Sequence, residues 1–177
     1  MTVQIGANLD SGFDDPIGML TDCHRRIERF IDVLCLVVER AQNTTLSGEE
    51  AKAVEAALEY FRVGGVRHNE DEEESLFPRL GGPAGEDSMV ELAGLRHDHE
   101  VAGNLHAQVE SLYRKWIAEG KLDEFDGQAL LGATKKLKAL YAVHIQVEEQ
   151  VVFPRASRTL DDATLQQIGQ EFKNRRD

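Results

Sequence analysis

Cysteine, proline and clustered basic residues are scarce in this sequence, and each shortage excludes something. The two cysteines, Cys23 and Cys35, form no Cys-x-x-Cys pair, so neither an iron–sulfur cluster nor a zinc ribbon has its usual ligands. Both fall in one predicted helix, where twelve residues set them roughly 18 Å apart along the axis, beyond disulfide reach. Four prolines in 177 residues, with apolar residues in short interrupted runs, argue against disorder and against a membrane span. Twenty Lys and Arg stand against 32 Asp and Glu, a net charge of −12, and a chain so acidic repels nucleic acid and anionic membrane. The opening MTVQIGANLDSGFDD has neither the basic start nor the apolar run of a signal peptide, so the expected location is the cytoplasm.

What the sequence does have is a long, evenly punctuated helical pattern. Asp14-Asp15-Pro16 opens a segment that runs to about Gln42. Ser47 with Glu50 three residues later is a capping box that starts the second. The stretch 77–88 separates the second from the third, and 119–127 the third from the fourth. Each Phe-Pro, at Phe77-Pro78 and Phe153-Pro154, reads as a helix stop. Residues 161–172 form a short amphipathic pattern. The expected fold is all-α: an antiparallel up-down-up-down four-helix bundle with a short C-terminal helix. The expected division is an N-terminal arm (1–13), a bundle (14–156) and a tail helix (157–177).

Apolar residues recur in steps of three and four, and each seam is interrupted by histidine. The first seam reads Ile17, Leu20, His24, Ile27, Ile31, Leu34, Val38; the second reads Val54, Leu58, Phe61, Gly65, His68, Glu72, Ser75. The third reads Leu92, Leu95, His99, Ala102, His106, Val109, Tyr113, Trp116, and the fourth Leu130, Thr134, Leu137, Tyr141, His144, Glu148, Val151. One seam histidine is most simply a hydrogen-bonded core residue. Here His24 and His99 lie near their helix starts and His68 and His144 near their helix ends, which in an antiparallel bundle brings all four to one level.

Two stretches repeat a phrase, HNEDEEESLFPR (68–79) and HIQVEEQVVFPR (144–155). His-x3-Glu sets both side chains on one helical face. Two such pairs with two further histidines give four imidazoles and two carboxylates, and buried carboxylates need neutralising, pairing or a metal. Two ions with bridging glutamates would use all six, and this donor set suits iron or manganese, with zinc possible. Glu73 and Glu149 lie 100° round from the preceding glutamates, as partners behind the ligands or as surface charges. His97 and His99 are about 200° apart on their helix, and the seam selects His99. His106 reads as a core or supporting histidine, and Tyr141 as a packing residue or a hydrogen-bond donor to a metal-bound oxygen. Gly64 and Gly65 either open space above the metals or allow a close helix contact.

His24 in LTDCHRRI, His68 and Glu72, His99 in DHEVAG, and His144 and Glu148 resemble the hemerythrin-like, HHE cation-binding domains over residues 14–156. DHEVAG is similar to a phrase of the iron–sulfur-repair members, which again selects His99. The resemblance implies a non-haem di-iron centre in a four-helix bundle, ligated by His24, His68, Glu72, His99, His144 and Glu148. It looks like the bacterial four-histidine, two-glutamate type rather than the five-histidine, one-aspartate oxygen carriers. It implies dioxygen or nitric oxide binding or sensing, or iron donation for repair of iron–sulfur or di-iron centres, and a metal-binding protein rather than an enzyme. The ferritin-like Glu-x-x-His signature is missing. A homodimer or a separate protein partner is compatible with the sequence, and the remaining alternative is a metal-free helical interaction module.

Overall fold

The computed structural model describes residues 10–81 and 90–177. Most of the expected N-terminal arm and of the stretch 77–88 lies outside these residues. Among those described there is no strand, and five helices make up an all-α bundle. Helix α1 spans Pro16–Ala41, with Pro16 in its first turn and the Asp15 carboxylate accepting from Gly18 N–H. Helix α2 is a continuous rod over residues 48–80, starting at the expected box: Glu50 N–H donates to Ser47 Oγ and Ser47 N–H to the Glu50 carboxylate. Helix α3 covers Val90–Glu119, helix α4 residues 124–159, and helix α5 Asp162–Asn174. Helix α1 packs on α2 and α4, and α3 on α4 and α2, closing the ring of four.

The expectation that each Phe-Pro stops its helix is corrected. Both helices run through the proline, α2 to Leu80 and α4 to Thr159. A proline has no N–H and its ring crowds the carbonyl four residues back. Here a π turn precedes each one, Asp71–Leu76 and Glu148–Val152, and Phe77 and Phe153 N–H reach five residues back to Glu72 and Glu148 carbonyls. The wider turn carries the chain past the proline without breaking the rod. It also inserts one residue into the pattern. The seam residue expected at Val151 is therefore exposed, and Val152 is fully buried in its place.

The core is in two parts. The larger, toward the 42–47 and 120–123 connections, holds Ile31, Leu34, Val54, Val109, Tyr113, Trp116, Leu130 and Leu137. Trp116 Nε1–H donates to Thr44 carbonyl at 2.7 Å and Tyr113 O–H to Leu34 carbonyl, so the two large aromatics are satisfied as well as buried. The smaller part holds Leu20, Leu76, Phe77, Leu92, Leu95, Val152 and Phe153, closed by Ile168 and Phe172 of α5. Chain 10–15 crosses α5 so tightly that a Cβ on Gly169 would lie 1.8 Å from Phe13 carbonyl oxygen. Asp71, 1% exposed, is held by Arg175 and Arg176 beyond α5, at 2.9 and 2.6 Å.

Helix α5 is therefore part of the core. Phe172→Ala is expected to cost about 3–5 kcal/mol of folding stability, the usual range for an excised core phenylalanine. Urea denaturation measures it, and a loss under about 1 kcal/mol would show α5 to be dispensable packing.

Candidate metal centre

Between the two parts of the core lies a layer of charged and polar side chains. His24, Glu72 and Glu148 are fully inaccessible, and His68, His99 and His144 no more than 7% exposed. All six residues expected to form the site converge here. They fall into two groups, His24, His68, Glu72 and Glu148, and Glu72, His99, His144 and Glu148, with one ligand atom per residue lying within 4.8 Å of the others in the group. Donors about 2.1 Å from a shared ion lie roughly 3–4.2 Å apart, so each group is close to the dimensions of one metal site. Both glutamates belong to both groups.

Local geometry explains the convergence. His68–Glu72 and His144–Glu148 are i, i+4 pairs, with imidazole Nε2 to carboxylate distances of 3.4 and 3.3 Å. His24 reaches across from α1, its Nε2 3.0 Å from Glu148 Oε2, and His99 from α3, its Nε2 3.4 Å from Glu72 Oε2. The outer nitrogens are anchored by other carboxylates. His24 Nδ1 lies 3.0 Å from Glu149, His99 Nδ1 2.6 Å from Glu73, and His144 Nδ1 3.3 Å from Asp98. A carboxylate only accepts, so these Nδ1 atoms carry the proton, and in the neutral ring each Nε2 turns a bare lone pair inward. Such anchoring fixes both ring orientation and tautomer. His68 Nδ1 has no hydrogen-bond partner.

The repeat works in trans. The second glutamate of each phrase holds the imidazole of a different helix, Glu73 that of His99 and Glu149 that of His24. The phenylalanine of each phrase stacks on the same imidazole. Phe77 lies over His99 with ring centroids 6.4 Å apart, and Phe153 over His24 at 5.3 Å. Arg96 in turn donates to Glu73 at 3.2 Å.

A cation fits this layer on the chemistry of its donors. His99 Nε2 and His144 Nε2 face each other at 3.1 Å with both lone pairs inward. His24 Nε2 and all four oxygens of Glu72 and Glu148 lack an aligned hydrogen-bond partner. Each such buried orphan costs about 1–3 kcal/mol, so the set rivals the ~5–15 kcal/mol net stability of a domain. The two carboxylates respond oppositely: burial and the Glu148 charge push Glu72 well up, whereas Glu148, despite burial, is held down by His144 and His24. Burial and the neighbouring imidazoles push His68 well down, and His24 and His144, against the pull of burial, are raised chiefly by Glu148.

The other sequence-picked residues separate clearly. His97 is exposed and stays out of the layer. His106 donates to or accepts from Tyr141 O–H at 2.9 Å, one layer away. Of the residues near Gly64 and Gly65, Gly64 carries the Tyr60 ring, 2.8 Å from where a Cβ would stand. Asp98 is not among the expected residues; its one sequence signal is adjacency to His99, and only the fold shows that it faces His144 of α4. Asp71, within the EDEEE run, was likewise unassigned.

A helical bundle that gathers four imidazoles and two carboxylates at mid-height is a metal-binding bundle by construction. The chain belongs to the hemerythrin family: residues 15–156 match the Hemerythrin HHE cation binding domain. It is also 28% identical over 168 residues to an uncharacterized protein of Haemophilus influenzae, covering 93% of this chain and 91% of that one.

If Glu73 acts by orienting His99, Glu73→Ala should weaken metal affinity about 10–100-fold. Glu100→Ala, on the same face but exposed at 79%, should leave it unchanged. Competition against a chelator reads both, and equal affinities would remove Glu73 from the site.

Proposed function

We propose that the chain holds two iron ions, one with His24 and His68 and the other with His99 and His144, bridged by Glu72 and Glu148. We infer further that the loaded centre binds a neutral diatomic molecule, dioxygen or nitric oxide. The carrying observation is the inward set of donors, the Nε2 atoms of His24, His99 and His144 and four carboxylate oxygens, with His68 Nε2 beside Glu72, in a layer with no thiolate. Mixed nitrogen and oxygen donors suit iron or manganese, and six residues shared by two six-coordinate ions leave positions for an external ligand. Iron bound there would supply electrons and open coordination sites.

The chain's own part is positioning and exclusion. Glu73, Glu149 and Asp98 hold three imidazoles in the ligating tautomer, while Phe77 and Phe153 close the layer from the α5 side. A metal-free interaction module would leave the buried donors uncompensated. Among the described residues no helix is long and apolar enough to cross a membrane, and the reading carries with it a cytoplasmic setting. Iron donation is the second reading, favoured by His68, whose unanchored ring leaves one group of four less firmly held.

Anaerobic reconstitution with Fe(II), followed by metal counting and an optical spectrum on admitting air, tests these readings. Two irons per chain with a reversible charge-transfer band support gas binding. Two irons that oxidise once without reversal support donation, and tight zinc with no iron uptake overturns both. Glu72→Ala and Glu148→Ala should each abolish binding of two metals per chain, and full stoichiometry in both variants would refute the ligand assignment.

A further inference from the structure

Below the metal layer, on the side away from α5, a cavity of about 270 Å³ opens between α2 and α3. Its walls include Phe61, Gly65, Ala102, Gly103, His106 and Tyr141. Three of these stand in one relation to the candidate ligands. Gly65 precedes His68 by three residues, Tyr141 precedes His144 by three, and Ala102 follows His99 by three. Three residues of helix are about 4.5 Å of rise, so the cavity lies one turn beneath three of the four imidazoles. The Tyr141 ring centroid is 6.3 Å from that of His144.

The inner wall selects by chemistry. Arg62, Asn69 and Glu110 also line the cavity, the first exposed and the other two half-buried; the polar groups of the inner wall are His106 and Tyr141, bonded to each other at 2.9 Å. Burial pushes His106 down to about 4 and pushes Tyr141 upward, so neither carries charge at neutral pH. Phe61 packs against His106 with ring centroids 4.2 Å apart and the rings tilted by 32°. The two smallest side chains of the inner wall, Gly65 and Ala102, are those nearest the imidazoles. At the rim, Gly103 is exposed, and a Cβ built there meets nothing within 4 Å. The space is far more than a diatomic needs, given about 30 Å³ per water molecule in the liquid.

We propose that this cavity is the port and waiting site for an uncharged diatomic molecule on its way to the metal layer, entering past Gly103 between α2 and α3. The proposal rests on the gas-binding reading and adds the route. Anions are disfavoured by the net charge of −12, and cations by the uncharged inner wall.

Gly103→Leu tests it. Leucine raises helix propensity over glycine, so the variant should fold, and its side chain would fill the rim. Stopped-flow mixing of the di-Fe(II) protein with dioxygen and with nitric oxide should show the association rate constant fall at least tenfold, with iron content unchanged. Gly94→Leu, an exposed position on the same helix outside the cavity, controls for propensity and should leave the rate unaltered. Crystals pressurised with xenon, whatever their iron content, should show the atom beside Ala102 and Gly65 in the wild type, and lose it in Gly103→Leu. An empty wild-type cavity under xenon overturns the proposal, as does an unaltered association rate in a variant that excludes xenon. A wild-type protein that loads iron yet reacts with neither gas sinks the gas-binding reading and the route with it. Xenon in the cavity would then mark it as an apolar void unconnected with function.

Discussion

Two carboxylates, Glu72 and Glu148, sit fully inaccessible among four imidazoles at mid-height in the bundle, and everything around them is arranged to tolerate that. Charge taken out of water is costly unless it is matched, and attraction in a low-dielectric layer repays the cost only when geometry is good and the remaining donors are satisfied. Matching here is divided between an inner and an outer ring. The inner donors are turned toward common points and left bare, while Glu73, Glu149 and Asp98 satisfy the outer nitrogens. The apolar parts of the core, above and below, keep water from supplying the missing partners. The layer thus stores in the folded chain the electrostatic demand that a cation meets.

The duplication of the His-x3-Glu-Glu…Phe-Pro phrase takes on meaning at this level. Within each phrase, His and the first Glu serve their own helix, while the second Glu and Phe serve the imidazole delivered by another. One phrase alone would leave an imidazole from α1 or α3 unheld. The duplication is consequently a statement about pairs of helices, and it gives the centre an approximate two-fold plan. The plan is broken in one place. Asp98, just before His99, holds His144, whereas the residue just before His24 is Cys23, whose sulfur accepts from Arg26; His68 is left with an unpartnered Nδ1.

Much of this was legible in the sequence. The bundle followed from seam periodicity and from caps such as Ser47–Glu50, because local signals of that kind survive tertiary packing. The six candidate ligands followed from spacing and level, and Glu73 and Glu149 were legible as partners behind them or as surface charges, not as bridges. Two things could not be read. Asp98 acts across a helix interface, and adjacency to His99 says nothing about which helix it faces without knowing that α4 lies there. The passage of α2 and α4 through their prolines was missed because proline argues against helix on its own. The compensation lies in a carbonyl register that no residue type announces. Helix α5 was anticipated as a tail, but its role as the cap of the smaller core depends on Ile168 and Phe172 finding Leu20 and Phe153, contacts remote in sequence.

The π turns have a consequence beyond accommodating proline. An α-helix carries its side chains in a fixed periodic pattern, and one inserted residue advances that pattern by about 100°. The buried histidine lies before each turn and the buried glutamate at its start, and by its end the buried face continues with Leu76 and Phe77, or Val152 and Phe153. The turn is the phase shift that joins a ligating stretch to an apolar one on the same side of the rod. Excising a single residue from it would leave each His–Glu pair on its face yet swing the following phenylalanine away from the imidazole it covers. In these two helices, then, composition decides what is buried, while residue count decides where.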